Sequence, residues 1–76
     1  MKKIKSTTFI NSYTNEHLAT IAIYKSEVGY AILSEIGYKL SGQTRLSEYE
    51  AIQYYDEVVN ETIKAFHSME QSFYTT

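Results

Sequence analysis

Between Leu46 and Met69 the chain repeats apolar residues at a helical period, and this stretch limits what the other residues can do. Ile52, Tyr55, Val59, Ile63 and Phe66 form an inward stripe, with Ala51, Val58, Thr62 and Ala65 beside it. Gln53, Asp56, Glu57, Asn60, Glu61 and Lys64 fall on the opposite, wet side. Ser47 and Glu50 have the S-x-x-E spacing of a capping box, and Leu46 is placed to staple against Ala51. The pattern predicts a helix over about 47–69, roughly 34 Å long at ~1.5 Å per residue.

A chain of 76 residues makes a single domain, 1–76, with one core. At this size only about 60% of the unfolded surface is buried on folding. With no cysteine there is neither a disulfide nor a thiolate metal site, and the compartment is left open. No apolar run approaches the ~18 residues of a membrane span. Met1-Lys2-Lys3-Ile4 is not followed by the apolar segment of a signal peptide. The expectation is a cytoplasmic protein with no membrane partner.

Ahead of the helix the period changes to two. Residues 2–13 read as a first strand, with Lys5, Thr7, Phe9, Asn11 and Tyr13 on one face and Ile4, Ser6, Thr8 and Ile10 on the other. Thr14-Asn15-Glu16 is a turn cluster. The second strand covers 17–25, and Ser26-Glu27-Val28-Gly29 is a hairpin loop. A third strand covers 30–40, where Gly37 marks either a bulge or a turn that splits it in two. Ser41-Gly42-Gln43-Thr44 reads as the loop into the helix, and the tail 70–76, lacking a stop signal, as frayed. The fold class expected is α+β: a three-stranded antiparallel meander backed by one long helix, β-β-β-α.

A two-residue turn at Asn15-Glu16 sets Ile10 opposite Ile21, and the next loop sets Ile23 opposite Ile32. The isoleucines then make the bed for the helix. The reverse face carries Phe9, Tyr13, Leu18, Ala22, Tyr24, Ala31, Leu33 and Glu35, with no second helix to cover it. A one-residue slip would mix the two sets. An uncovered apolar face of this kind marks an interaction surface, and tyrosine suits it by combining area with a polar tip.

Catalytic chemistry is not apparent. His17 and His67 are the only histidines; His67 and Glu70 share a helical face, but two side chains do not make a metal site. Asp56, Glu57 and Glu61 lie on one exposed helical face, not across a cleft. Gly29, Gly37 and Gly42 match no phosphate-binding fingerprint, and no serine sits in a nucleophile elbow. The reading is a non-enzyme without cofactor or metal.

Charge is divided along the chain. Residues 1–45 carry six Lys or Arg against three Glu, and residues 46–76 carry Lys64 against six Asp or Glu, for a net −2 overall. A sheet backed by a helix is also a DNA-binding layout, and Lys2, Lys3, Lys5, Lys25, Lys39 and Arg45 all lie in the sheet half. The diluted positive charge makes direct DNA binding the weaker alternative. Eight tyrosines, and isoleucines equally frequent, accord with an AT-rich genome such as a low-GC bacterium or one of its mobile elements.

His17-Leu18 followed by Ile21-Ala22-Ile23-Tyr24, a loop, a strand with Glu35 and an acidic C-terminal helix resembles small phage anti-CRISPR inhibitors. The pattern is that of the type I-F kind that coats a crRNA-guided surveillance complex. In that family a sheet face contacts the target through a tyrosine ending an IA-x-Y strand and a glutamate on the next strand. Tyr24 and Glu35 match these positions. The family's N-terminal tyrosine has no match, since Ser6 stands near that place; Phe9 or Tyr13 would substitute. The resemblance implies a partner-binding set of Phe9, Tyr13, Tyr24 and Glu35 and a host protein or ribonucleoprotein complex as partner. A homodimer through the same face is the further alternative.

Overall fold

The alternation of β-branched and aromatic residues over the first 45 positions becomes four antiparallel strands, and the helical period becomes one helix. The computed structural model covers residues 1–76 and orders them β1 (Lys2–Asn11), β2 (His17–Ser26), β3 (Gly29–Ile36), β4 (Lys39–Arg45), α1 (Glu48–Ser68) and β5 (Phe73–Thr75). The molecule is α+β, with one sheet in the order β4-β3-β2-β1-β5 and α1 packed on one side of it.

Five strands stand where three were expected. The expected third strand is two, because Gly37 takes a left-handed φ of 63° and turns the chain between Ile36 and Lys39. The polar run Ser41-Gly42-Gln43-Thr44 is therefore the middle of edge strand β4, not a loop into the helix. An edge strand exposed on its outer side has no need of apolar residues, so it reads like a loop.

The tail is not frayed. Gln71 N–H donates to Phe66 O at 2.8 Å and Glu70 N–H to His67 O at 3.0 Å, while Glu70 adopts a φ of 56°. This is the Schellman arrangement, with glutamate in the place glycine usually fills. It reverses the chain and lays Phe73-Tyr74-Thr75 antiparallel against Phe9-Ile10-Asn11 of β1. Reciprocal bonds between Thr8 and Thr76 extend the pairing.

At the other end of α1, Ser47 Oγ accepts from Glu50 N–H at 3.2 Å and meets Glu50 Oε1 at 3.0 Å, which fixes the start. Leu46 stays 86% exposed, so the expected staple against Ala51 does not form. The helix centre line is Ala51, Tyr55, Thr62 and Phe66, with Ile52, Val58, Val59 and Ile63 packed at its flanks. The buried Thr62 hydroxyl donates to Val58 O at 2.8 Å, so its polar atom costs little.

The register of β1 departs from the expected one. Thr7, not Ile10, lies opposite Ile21, whereas Ile23 lies opposite Ile32 as the sequence reading had it. The cause is the turn together with a bulge at Leu18. Asn11 Oδ1 accepts from the N–H groups of Tyr13 and Thr14 at 2.8 and 2.9 Å, and Asn15 takes a φ of 62°. The longer loop so built sets Ile10 opposite His17, an even shift, and the bulge at Leu18 then makes the slip odd from Phe9 onward. The β1 side chains from Lys5 to Ile10 therefore change face, whereas the irregularity at Ile4 leaves Lys3 on the open side. Phe9 and Thr7 go under the helix with Ala19, Ile21, Ile23 and Ile32, and the Thr7 and Tyr55 hydroxyls share a hydrogen bond. Each large apolar side chain sealed in this layer stabilises the fold by roughly 1.5–3 kcal/mol.

Candidate docking face

On the side of the sheet away from α1 nothing covers the strands. The register places Ser6, Thr8 and Ile10 of β1, Thr20, Ala22 and Tyr24 of β2, Ala31, Leu33 and Glu35 of β3, and Leu40, Gly42 and Thr44 of β4 on this face. The centre is small and the surround is large. Ala22 is almost fully buried between its neighbours, Leu33 lies over Gly42, and Leu40 stands 73% exposed. Leu33 occupies the space a side chain at position 42 would need, since a Cβ there would come within 3.1 Å of Leu33 Cδ2.

Thr20, Ala22, Tyr24, Leu33, Glu35 and Leu40 enclose a shallow depression of about 330 Å³. Beside it, His17, Leu18, Glu35, Tyr38 and Leu40 bound a second hollow of about 560 Å³ at the end of the sheet. Glu35 and Leu40 belong to both and form the ridge between them. The Glu35 carboxylate lies 3.8 Å from His17 Nδ1, and His17 Nε2 lies 2.6 Å from Thr20 Oγ1. A furrow of about 430 Å³ runs instead along the flank of α1, lined by Ile36, Tyr54, Val58, Ala65, Phe66 and Met69. It belongs to the other side of the sheet.

Of the four residues expected to bind a partner, two line this face together. Tyr24, half-buried, and Glu35 both wall the depression. Phe9 does not belong to the set: it is 0% exposed beneath α1, because the odd slip of β1 turned it inward. Tyr13 lies in the β1–β2 turn, 86% exposed and off the strands. Ile10 takes the place on the face that Phe9 was expected to hold, while Leu18, at the second β1–β2 irregularity, packs against the core. Gly42 lies in the segment expected as a loop and Leu40 at the end of the expected third strand, so neither entered the contact set; the alternation Leu40, Gly42, Thr44 against Lys39, Ser41, Gln43 was the available signal.

Charge on the face is sparse. Lys3 sits at one corner opposite Tyr24, and Glu35 at another. Lys5 is turned to the helix side, 3.9 Å from Asp56, and Arg45 is stacked over the Tyr54 ring at 4.5 Å. No group of three or more His, Asp or Glu side chains is close enough to hold a metal ion. No helix is long and apolar enough to cross a membrane. The arrangement can offer area, a socket for an apolar side chain and one carboxylate, which is the chemistry of recognition.

Comparison with protein-family models, with curated proteins and with solved structures gives no match to this chain.

Proposed function

We propose that this chain is a non-enzymatic binding module whose open sheet face docks on a host protein or ribonucleoprotein complex and blocks it by occupying its surface. One observation carries the reading: a five-stranded sheet with a helix on one side leaves an apolar, socketed face on the other. Such a face usually marks an interaction site. The exposed area agrees. A folded monomer of this mass is expected to expose roughly 4,800 Å², and this one exposes 5373 Å². The excess arises from the elongated 40 × 20 × 19 Å shape and the uncovered face together. At roughly 570 Å² it is smaller than the ~800 Å² each partner contributes to a stable interface.

The resemblance of Tyr24 and Glu35 to the contact residues of type I-F anti-CRISPR inhibitors supplies the class of target, a crRNA-guided complex in the cytoplasm of a phage-infected host. Their shared place around one depression supports that reading. The sparse positive charge of the face favours a protein surface over DNA. Expression of the chain in a CRISPR-immune host should restore plating of a targeted phage, and Tyr24→Ala with Glu35→Ala should remove that effect. Plating that stays restricted with the wild-type chain, or is restored equally by the double variant, contradicts the proposal.

A further inference from the structure

The two edges of the sheet are treated differently. On one side β5 has only three residues, and the rest of the β1 edge carries Lys2, Lys3, Lys5 and an irregularity at Ile4. These are devices that discourage another strand from adding. On the other side β4 presents seven residues, without proline or bulge, exposed from Lys39 through Thr44. The two-residue turn at Gly37 and Tyr38 makes Ile36 and Lys39 a hydrogen-bonded closing pair. The N–H and C=O groups of Leu40, Gly42 and Thr44 consequently point outward, with no strand to receive them.

We propose that β4 is a template for an extended segment of a partner protein, added antiparallel as a sixth strand, whose acidic side chains face Lys39 and Arg45. Charge selects this occupant over a second copy of the chain. Full antiparallel pairing of β4 with its own copy centres on Gly42 and sets Lys39 opposite the copy's Arg45 at both ends. Like charges directly opposite destabilise a strand pair. A segment with a carboxylate at each end of seven residues reverses the sign of both contacts. Its alternate side chains, opposite Leu40, Gly42 and Thr44, would lie on the open-face side, where small apolar groups fit beside Leu33 over the bare Gly42. This edge is independent of the open-face reading, because pairing there runs through the backbone of β4.

The test uses two fluorescein-labelled, N-acetylated peptides, Glu-Val-Thr-Val-Thr-Val-Glu and its twin with lysine at both ends, titrated with the full chain by anisotropy. The expected result is at least tenfold tighter binding of the Glu-ended peptide, with the preference lost in Lys39→Glu. Thr44→Pro should abolish binding, since its ring occupies the outward position while the ladder to β3 is kept; circular dichroism reports whether the fold survives. If Thr44→Pro unfolds the chain, Leu40→Pro serves in its place. Tyr24→Ala should leave peptide binding unchanged. Equal affinity for the two peptides, binding of neither, or binding that survives the proline variant overturns the proposal. Self-association by light scattering that the proline variant abolishes also overturns it, in favour of a second copy.

Discussion

Phe9 of β1 meets Phe66 of α1 edge to face, with ring centroids 5.5 Å apart and planes at 81°. Phe73 of β5 closes the triangle, 5.3 Å from Phe9 and 5.6 Å from Phe66. The first strand is tied at this point to the last two elements of the chain. Replacing the fully buried Phe9 ring by alanine should cost about 3–5 kcal/mol, against a total of roughly 4–11 kcal/mol for a domain of this length. Urea unfolding of Phe9→Ala should therefore show a large share of the stability gone. An unchanged midpoint would return Phe9 to the surface role the sequence first suggested.

The same triangle makes the C-terminal residues structural. Removing residues 72–76 deletes the Phe73 ring and the backbone bonds that join Thr8 to Thr76 and Ser12 to Ser72. A loss of about 2–4 kcal/mol is expected from the ring and the opened edge. Amide exchange at Thr8 should accelerate in the truncated chain and stay slow in the full one.

Glu70 holds a left-handed conformation that costs an ordinary residue roughly 1–2 kcal/mol and glycine nothing. It is exposed and makes no ion pair among those of the molecule. Glu70→Gly should thus stabilise the fold by up to about 1 kcal/mol after the added freedom of the unfolded chain is offset. Thermal unfolding would show this as a rise of a few degrees.

Two glycines should respond unequally to alanine. A Cβ at Gly29, whose φ is 154°, would lie 2.8 Å from the carbonyl oxygen of Arg45, so backbone must move. A Cβ at Gly37, φ 63°, would meet nothing. Gly37→Ala should cost about 1 kcal/mol for the left-handed conformation alone. Gly29→Ala should cost more, about 2–3 kcal/mol, through added strain. Denaturant midpoints of the pair check the order.

What the sequence disclosed followed the strength of each local signal. The helix was legible from its apolar period and from Ser47 with Glu50, and its wet side was read correctly as Gln53, Asp56, Glu57, Asn60, Glu61 and Lys64. The β2–β3 pairing was legible because Ile21 and Ile23 alternate and a short loop precedes Gly29. The face of β1 was not, since both its faces carry apolar and Thr or Ser residues and the Asn11 turn with the Leu18 bulge decides between them. β5 was hidden because its stop is a glutamate in place of glycine. Of the expected contact set, Tyr24 and Glu35 sit on strands whose parity the β2–β3 hairpin decided. Phe9 sits on the strand that slipped at the Leu18 bulge, and Tyr13 in the loop just before it.

The proposed docking surface is the face bearing Tyr24 and Leu33. Leu33 is 41% exposed, so Leu33→Arg can extend its charge into water and should leave the unfolding midpoint within about 1 kcal/mol of wild type. Biolayer interferometry of the chain on a purified type I crRNA-guided surveillance complex is the most direct measurement. Tight binding by the wild-type chain, weakened about 100-fold or more by Leu33→Arg as expected of a central contact, is the result foreseen here. Binding of equal strength by the variant, or none by the wild-type chain, would contradict it.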